Sequence, residues 1–330
     1  MRLMINGFGR IGRQAFRIAY DQPEVEVVRI NDVADAETLA YLLKYDSTYG
    51  VWAREVKAEN GAVVVDGERF AVSNIKSPGE LPHADDGIDV VLESTGIFRK
   101  REEAQQHLDA GATKVLISAP AKNAVDGNFI IGVNEDDYDA GRHDIITIGS
   151  CTTNCVVPMA KVLHDRFRIE HGWMTTTHAY TSTQNLIDGP QKKVRRGRAA
   201  ATNIVPTTTG AAEMIGQIIP ELDGKVSGMA LRVPVECGSI TGLVCRVESE
   251  ASEQAVNEAF REAAAQSMKG VLGIEPAPLV SSDIIGNAHS CVFIPGETAV
   301  VEGRLVNVMG WYDNEWGFSA RLVDMIKRMI

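Results

Sequence analysis

Cysteine and positive charge are both scarce in this 330-residue sequence. Its five cysteines form an odd set without Cys-x-x-Cys spacing, so the pattern favours neither a disulfide framework nor a zinc site. Lys and Arg total 33 against 44 for Asp and Glu, and the formal net charge of −11 argues against a protein that coats nucleic acid. No apolar run reaches the roughly 20 residues that cross a bilayer, and residues 1–7 lack the features of a signal peptide. The sequence therefore predicts a cytoplasmic protein with no metal and no membrane partner.

Hydrophobic residues make up 45% of the chain, which is enough apolar material for two globular domains. In the first half, apolar strands alternate with helical stretches, a pattern that predicts a parallel sheet flanked by helices. The strands predicted there are 2–5, 25–30, 89–92, 114–118 and 145–148, and the predicted helices are 10–19, 37–43 and 100–108. Residues 56–72 are predicted to form hairpin strands with turns at Asn60-Gly61 and Asp66-Gly67.

The second half is richer in long β-stretches and predicts an α+β domain on a mostly antiparallel sheet. Its predicted strands are 172–180, 228–235, 239–247 and 305–312, and its predicted helices are 152–167, 210–218, 252–265 and 315–329. Residues 181–202 are polar, basic and without periodicity, which indicates a long functional loop.

A glycine-rich motif, Gly7-Phe8-Gly9-Arg10-Ile11-Gly12, follows the first strand and opens the first helix. In that context Gly7 allows a tight turn, Gly9 lets a pyrophosphate approach the backbone, and Gly12 lets helix and strand pack closely. Asp32 lies 20 residues after Gly12, at the end of the next strand, where an acid holds the ribose hydroxyls. The plainer alternative is a glycine turn needed only for packing, with Asp32 as a solvated strand end.

This motif completes the predicted architecture. The fold class is α/β, with a Rossmann-type dinucleotide-binding domain at residues 1–150, joined by the C-terminal helix 315–330. The catalytic and oligomerisation domain is predicted at residues 151–314.

Cys151 lies between a strand and a helix start, where backbone N–H groups and the helix dipole stabilise a thiolate. Cys155 follows one helical turn later and is interpreted as a small buried residue. His178 ends a strand beside the polar loop, where it can act as a base for a thiol elsewhere in the chain. The alternatives are a buried structural cysteine and a hydrogen-bonded core histidine.

With these motifs in place, the sequence resembles the phosphorylating glyceraldehyde-3-phosphate dehydrogenases over essentially the whole chain. The two most specific segments are Ser150-Cys151-Thr152-Thr153-Asn154 and Trp311-Tyr312-Asp313-Asn314-Glu315-Trp316-Gly317. The other matching segments are residues 5–12, 31–32, 42–47, 94–96, 117–122, 178–190, 206–212 and 232–234.

The resemblance implies a covalent reaction of glyceraldehyde 3-phosphate with NAD and inorganic phosphate. Cys151 attacks the aldehyde to form a thiohemiacetal. His178 takes the hydroxyl proton as hydride leaves for the nicotinamide, which gives a thioester. Phosphate then releases an acyl phosphate. A thioester retains the oxidation energy that direct hydrolysis would lose.

The resemblance also implies two anion sites. The attacking phosphate is assigned to Ser150, Thr152, Thr209 and Gly210, and the substrate phosphate to Thr181 and Arg232. The basic run 192–198, with Arg195 as an assigned phosphate-binding residue, is interpreted as an interface and steering segment. Because the whole chain is acidic, we favour this reading over a nucleic-acid patch.

The cofactor is predicted to be NAD. The cofactor contacts implied by the resemblance are Gly7, Gly9, Arg10, Ile11, Gly12, Asp32, Thr95 and Ser118, with Asn314 for the nicotinamide carboxamide. Asp32 would repel a 2′-phosphate, and Pro190 is also typical of NAD-dependent relatives. The loop that carries Pro190 reaches across a subunit interface in the family, which implies a homotetramer.

A few positions depart from the family pattern without removing a catalytic group. Ile148-Gly149 replaces the usual Asn-Ala, residues 235–239 replace Thr-Pro-Asn-Val-Ser, and Phe318 and Ala320 replace Tyr and Asn. Two alternative functions stay open. An erythrose-4-phosphate dehydrogenase is disfavoured by Thr181. A catalytically idle binding paralogue is disfavoured by the intact set Cys151, His178, Arg232 and Asn314.

Overall fold

The computed structural model describes residues 1–329 and divides the chain into two compact units. The first comprises residues 1–129, 136–149 and the stretch from 319 onward, and the second comprises residues 130–135 and 150–318. The predicted boundaries placed residues 130–135 and 315–318 with the first unit, whereas their contacts group them with the second. The naming of one domain for the dinucleotide and the other for catalysis stays a prediction at this point.

The first unit is built on a nine-stranded sheet. Its strands are β1 (Arg2–Asn6), β2 (Glu26–Asn31), β3 (Tyr45–Asp46), β4 (Gly50–Val51), β5 (Val56–Glu59), β6 (Ala62–Val65), β7 (Glu68–Ser73), β8 (Val90–Glu93), β9 (Lys114–Ile117), β10 (Gly127–Asn128) and β11 (Ile145–Thr147). Its helices are α1 (Arg10–Tyr20), α2 (Ala36–Lys44), α3 (His83–Asp86) and α4 (Arg101–Asp109).

The strand order of this sheet is β10-β11-β9-β8-β1-β2-β7-β6-β5, with β3 and β4 forming a separate ribbon. The pairings β5–β6 and β6–β7 are antiparallel, and the others in this sheet are parallel. This confirms the predicted parallel sheet. Strands β8, β9 and β11 are buried throughout, as expected of parallel strands that have helices on both faces.

Residues 56–72 form two consecutive hairpins, β5–β6 and β6–β7. The central residues of both turns have positive φ, with Asn60 at 48°, Gly61 at 70°, Asp66 at 49° and Gly67 at 89°. Asn-Gly and Asp-Gly pairs tolerate this left-handed geometry, which matches the twist of the flanking strands. The turns predicted at these two dipeptides are confirmed.

The carboxyl ends of four parallel strands meet at one edge of the sheet. Asn6 pairs with both Asn31 and Glu93, and Glu93 pairs with Ile117 in the neighbouring register. The loops that leave these strands therefore start side by side. In open parallel sheets this edge is where ligands bind.

The second unit has an eight-stranded sheet. Its strands are β12 (Ile169–Ala179), β13 (Val205–Thr207), β14 (Val226–Val233), β15 (Ser239–Val247), β16 (Leu272–Ile274), β17 (Cys291–Phe293), β18 (Ala299–Val301) and β19 (Leu305–Tyr312). Its helices are α5 (Cys151–Phe167), α6 (Ala211–Ile218) and α7 (Glu253–Ala265), and α8 (Trp316–Arg328) starts here and continues into the first unit.

The strand order is β13-β14-β12-β15-β19-β17-β16, with β18 paired to β19. Only β12–β14 and β16–β17 are parallel among the pairings of residues 150–318, so the predicted, mostly antiparallel sheet is confirmed. The three-residue strands β13, β16, β17 and β18 were not predicted because so short a segment shows no alternation. The predicted loop at 181–202 contains one 3-10 turn, Val194–Gly197.

Within residues 1–329, no helix is long and apolar enough to span a bilayer. In the same part of the chain, no group of three or more His, Cys, Asp or Glu side chains is arranged to hold a metal ion.

Candidate active site

The glycine loop between β1 and α1 leaves space for a ligand at one position. Gly7 has φ of +94°, and a Cβ there would come within 2.5 Å of the Thr95 backbone nitrogen. A Cβ on Gly12 would collide with the carbonyl oxygen of Gly7. A Cβ on Gly9, in contrast, would meet no atom within 4 Å. Open space beside a glycine at a helix N-terminus fits a pyrophosphate.

A pocket of about 380 Å³ opens at this edge of the sheet. Its lining includes four of the predicted cofactor contacts, namely Gly7, Gly9, Asp32 and Thr95. Four others lie outside that lining, namely Arg10, Ile11, Gly12 and Ser118. Val33 and Ile97, which are 76% and 64% exposed, add apolar surface to the same pocket. A dinucleotide requires a carboxylate that accepts hydrogen bonds, apolar surface to pack on and an open glycine loop, and this pocket has all three.

Backbone amides fix the Asp32 carboxylate. Oδ2 accepts a hydrogen bond from the Phe8 N–H at 2.7 Å, and Oδ1 accepts one from the Ala34 N–H at 3.1 Å. Each oxygen retains acceptor capacity because a carboxylate can accept about four hydrogen bonds. The group is thus positioned to accept two ribose hydroxyls.

The Arg10 guanidinium is paired with a buried carboxylate of the same unit. Its Nη1 lies 2.5 Å from Oδ2 of the buried Asp46, and the guanidinium lies 5.6 Å from the centre of the Tyr49 ring. The side chain therefore anchors α1 to the start of the β3–β4 ribbon. Only the backbone N–H groups of the helix start remain suited to a phosphate.

Glu93, which the sequence analysis did not single out, holds Thr95 in place. Its Oε1 accepts hydrogen bonds from the Thr95 N–H, at 2.9 Å, and from the Thr95 hydroxyl. Its Oε2 accepts one from Asn6 Nδ2 at 2.6 Å and lies 3.2 Å from His107 Nε2. A carboxylate in a strand that is otherwise apolar was the signal available in the sequence.

The second unit positions the candidate nucleophile at a helix N-terminus. Ser150 caps α5: its Oγ accepts from the Thr153 N–H at 3.1 Å, and its own N–H donates to Thr153 Oγ1 at 3.2 Å. This reciprocal cap starts the helix at Cys151. The preceding Gly149 has φ of +71°, a left-handed conformation that favours glycine over the alanine usual in the family.

Cys151 and His178 lie within hydrogen-bonding distance of each other. Cys151 Sγ is 3.3 Å from His178 Nε2, although the two residues come from α5 and from the end of β12. Cys151 is partly exposed, and His178 is buried. The structure therefore brings the two predicted catalytic residues together.

Arg232 contacts the other side of the imidazole. The parallel register of β12 and β14 places Arg232 directly beside His178. Its Nη1 lies 2.6 Å from His178 Nδ1 and donates to the Ala179 carbonyl oxygen at 2.8 Å. Nδ1 also lies 2.7 Å from the Ala179 carbonyl oxygen, so Arg232 and this carbonyl group contact the same ring nitrogen and orient Nε2 toward the sulfur.

Burial and charge set the protonation of this pair. Burial, with a further contribution from Arg232, lowers the pKa of His178 to about 3, so the ring is neutral at physiological pH. Burial raises the pKa of the Cys151 thiol, while Arg232 and the helix N–H groups oppose that rise. The stabilisation of the thiolate expected from the helix N-terminus is therefore smaller than the effect of burial on the thiol pKa.

Tyr312 packs against His178 at the site, and the sequence did not predict a role for it. Its hydroxyl lies 3.0 Å from Thr152 Oγ1 and 2.7 Å from Thr176 Oγ1, and its ring packs edge-on against His178. Thr152 is 4% exposed, so its hydroxyl is directed at Tyr312. The Thr152 hydroxyl is thus engaged by Tyr312, and its backbone N–H belongs to the first turn of α5.

Hydroxyl groups and cations converge on the start of the long loop. Thr181 Oγ1 lies 2.8 Å from Thr183 Oγ1, which in turn accepts a hydrogen bond from Arg196 Nη1 at 3.0 Å. Arg196 Nε donates to Thr207 Oγ1 at 3.0 Å. The pKa of Arg196 is lowered by burial and by Arg232, which shows how close the two cations are. Unpaired cations among hydroxyls form an anion site.

The prediction for Arg195 needs correction at this point. Arg195 is exposed at the 3-10 turn Val194–Gly197, whereas Arg196 is the residue directed into the threonine cluster. Successive residues of such a turn point in different directions, and the run of basic residues did not indicate which of them faces inward. Arg196, rather than Arg195, is therefore the arginine of this run that contacts the threonine hydroxyls.

The remaining predicted anion contacts lie before α6. Thr209 Oγ1 accepts a hydrogen bond from the Ala211 N–H at 3.2 Å, and Gly210 is exposed at the helix start. Lys193, which was not singled out, donates from Nζ to Thr208 Oγ1 at 2.7 Å. This lysine adds a third cation to the side of the cluster formed by residues 207–209.

Ser239 fixes the orientation of Asn314 and was also missed. Its Oγ accepts from the Ala179 N–H at 3.1 Å, so its own proton is free to donate to Asn314 Oδ1 at 2.9 Å. Asn314 Nδ2 is thereby the end of the amide that remains for a ligand carbonyl. The strand end that carries His178 and the predicted nicotinamide contact are thus joined through one hydroxyl.

Comparison with protein families matches both halves of the chain. Residues 1–101 match the family model described as the glyceraldehyde 3-phosphate dehydrogenase NAD binding domain. Residues 150–314 match the model described as the C-terminal domain of the same enzyme.

Curated proteins give full-length similarity. The chain is 50% identical over 325 residues to glyceraldehyde-3-phosphate dehydrogenase 1 of Bacillus subtilis strain 168, covering 98% of this chain and 97% of that protein. It is 49% identical to glyceraldehyde-3-phosphate dehydrogenase of Geobacillus stearothermophilus with the same coverage. It is 51% identical over 326 residues to glyceraldehyde-3-phosphate dehydrogenase 2 of Streptomyces arenae.

Proposed function

The chain belongs to the glyceraldehyde-3-phosphate dehydrogenase family, and we propose that it carries out the family's phosphorylating reaction through Cys151 and His178. The activity is the oxidation of D-glyceraldehyde 3-phosphate with inorganic phosphate to 1,3-bisphosphoglycerate, and NAD is the cofactor. The observation that carries the assignment of the site is the 3.3 Å contact between Cys151 Sγ and His178 Nε2 at the start of α5.

The Cys151 thiolate, whose charge the N-terminal amides of α5 stabilise, adds to the aldehyde carbon. The aldehyde oxygen takes up a proton from solvent, which gives the thiohemiacetal hydroxyl. NAD, when bound, supplies the acceptor for the aldehyde hydride. His178 takes the hydroxyl proton as the C–H bond breaks, which leaves an acyl thioester on Cys151. Inorganic phosphate then attacks the thioester, and the sulfur leaves as the thiolate. The direct test is NADH formation from the aldehyde that depends on added phosphate, with erythrose 4-phosphate as the comparison substrate.

We assign the two anions to two groups of residues, one around Arg232 and one around Arg196. Arg232 and Thr181 hold the C3 phosphate of the substrate. Arg196, Thr209, Gly210, Ser150 and the Thr152 N–H surround the attacking phosphate. Arg232 supports this role because no carboxylate lies close enough to affect its pKa, so its charge is available to a ligand.

Arg232→Lys should reduce kcat/KM for glyceraldehyde 3-phosphate by about 10- to 100-fold, because lysine keeps the charge but loses the paired, planar donors. Unphosphorylated glyceraldehyde should lose much less. The measurement is kcat/KM for both aldehydes, with Arg246→Lys on strand β15 of the same sheet as the matched control. An equal loss for the two aldehydes would identify Arg232 as a structural residue.

Asp32→Gly should reduce the preference for NAD over NADP by about tenfold or more, mainly through KM, because the carboxylate accepts ribose hydroxyls and repels a 2′-phosphate. The measurement is kcat/KM for each cofactor. Asp85→Asn, an exposed acidic residue on α3, serves as control. If the wild-type enzyme used both cofactors with equal efficiency, the role given to Asp32 would be wrong.

Exposed apolar side chains support the proposed assembly, and free cysteines support the proposed location. The long loop exposes Leu186, Ile187 and Val194 by 76%, 77% and 83%, which supports a role in the interface of a homotetramer. All five cysteines are free thiols, as in a reducing cytoplasm. Because the reaction is reversible, its chemistry serves either glycolysis or gluconeogenesis.

A further inference from the structure

Residues 235–239, where the sequence departs from the family pattern, lead from β14 into β15. Two backbone donors from the end of β12 attach to them. The Tyr180 N–H donates to the Val235 carbonyl oxygen at 3.0 Å, and the Ala179 N–H donates to Ser239 Oγ at 3.1 Å. Since both donors directly follow the candidate base, this segment is fixed to the strand end that carries it.

The same segment contacts a buried carboxylate next to Asn314. Cys237 donates from Sγ to Asp313 Oδ1 at 3.2 Å, and both residues are buried. Three backbone N–H groups also donate to this carboxylate, at 2.8, 2.9 and 2.8 Å, namely those of Gly286, Glu315 and Trp316. A buried carboxylate needs such donors. The thiol therefore helps to hold the residue that directly precedes Asn314.

Ser239 contacts the Asn314 amide itself. Its Oγ donates to Asn314 Oδ1 at 2.9 Å, while the same oxygen accepts the Ala179 N–H. This engages the carbonyl end of the amide and leaves Nδ2 as the end that can donate to a ligand. Without the hydroxyl, the amide could present either its oxygen or its nitrogen.

The backbone between these two side chains has no room to shift. Gly238 has φ of +87°, a left-handed conformation that favours glycine. A Cβ on Gly238 would lie 2.2 Å from the Ser281 carbonyl oxygen, so the backbone packs directly against residue 281. Cys237 and Ser239, on either side of this close contact, therefore project from a fixed segment.

We propose that residues 235–239 form a bridge that sets the Asn314 amide relative to His178, with Cys237 and Ser239 as positioning residues for the nicotinamide carboxamide. Two backbone bonds join the bridge to the strand end that carries His178, and two side-chain bonds join it to residues 313 and 314. Losing either side-chain donor should weaken recognition of the carboxamide. The rest of the dinucleotide should bind as before, because the glycine loop and Asp32 lie in the other unit. The inference rests on the proposed role of Asn314.

Calorimetry with NAD and with ADP-ribose, which lacks the nicotinamide, tests the bridge. Ser239→Ala should raise the Kd for NAD about tenfold and Cys237→Ala about 3- to 10-fold, while the Kd for ADP-ribose stays within about twofold of wild type. Cys237→Ser supplies a hydroxyl donor in place of the thiol and should restore NAD binding. Cys245→Ala is the matched control, because this buried cysteine pairs with Val306, at the opposite end of β19 from Asn314. It should change neither Kd.

Double variants show whether the two residues act through Asn314. Adding Cys237→Ala or Ser239→Ala to Asn314→Ala should cause little further loss of NAD affinity, because residues that act through one amide are not additive. Parallel losses for NAD and ADP-ribose would mean a general distortion and would overturn the proposal, as would unchanged NAD binding in the single variants. Since the two variants remove different donors, either one that folds decides the question.

Asn314→Ala by itself separates this inference from the proposed function. If it loses affinity for NAD but not for ADP-ribose while the bridge variants bind both like wild type, only the bridge is wrong. If Asn314→Ala keeps the wild-type preference for NAD over ADP-ribose, the nicotinamide role of Asn314 is wrong and the bridge fails with it. The phosphate-dependent formation of NADH tests the reaction independently of both.

Discussion

Cys151→Ser is expected to abolish phosphate-dependent NADH formation, with a loss of at least about 10⁴-fold in kcat. A serine hydroxyl at the start of α5 stays protonated near neutral pH, and no other side chain at the site is a nucleophile of comparable strength. Binding of NAD, measured by calorimetry, should be retained because the glycine loop and Asp32 lie in the other unit.

Cys155→Ser is the matched control, since Cys155 lies on the same helix but is fully buried. It should retain most of the activity. Iodoacetamide should label Cys151 before the four buried cysteines, which peptide mass spectrometry can verify. Wild-type turnover in Cys151→Ser would exclude the covalent route altogether.

His178→Asn should slow the burst of NADH by about 10²- to 10⁴-fold, the range typical of a lost general base. An amide of similar size keeps a polar group beside Cys151 but cannot take the hydroxyl proton. Stopped-flow absorbance measures the burst, and His171→Asn, an exposed position on the same strand, is the control. A normal burst with slow steady-state turnover would place His178 in the phosphate step instead.

The pH dependence of the burst should follow the same pair. Because burial and Arg232 lower the pKa of His178 to about 3, the ring does not gain a proton between about pH 5 and 8. The rate should therefore show no step near the ordinary histidine pKa. It should rise toward alkaline pH, since burial raises the pKa of the Cys151 thiol and the thiolate is the reactive form. A pH–rate profile with a midpoint at the usual histidine value would contradict this account.

The fold was predictable wherever local pattern and tertiary structure agree. The glycine motif, the apolar strands β8 and β9 and the cap at Ser150 all indicate their structures within a few residues of sequence. The parallel sheet followed from strand–helix alternation in the first half, and the mostly antiparallel sheet followed from the long β-rich stretches of the second. Short strands such as β16 and β17 could not be found, because three residues carry no period and pairing partners alone define them.

The site was predictable only for residues whose chemistry stands out. Cys151, His178 and Asp32 combine a reactive side chain with a strand or helix end. The contact between His178 and Arg232 joins residues 54 positions apart and depends on the register of two strands. Ser239 and Tyr312 act through hydrogen bonds that no spacing reveals. The choice of Arg196 over Arg195 depends on which way one turn faces.

The side-by-side placement of His178 and Arg232 on parallel strands also has an evolutionary consequence. Residues 180–225 connect β12 to β14, and insertions or deletions there change the length of the connection without altering which two residues pair. A single-residue deletion inside β14, ahead of Arg232, would instead turn the guanidinium to the opposite face of the sheet. Insertions and deletions among descendants of this chain should therefore accumulate in residues 180–225 and be selected against within β12 and β14.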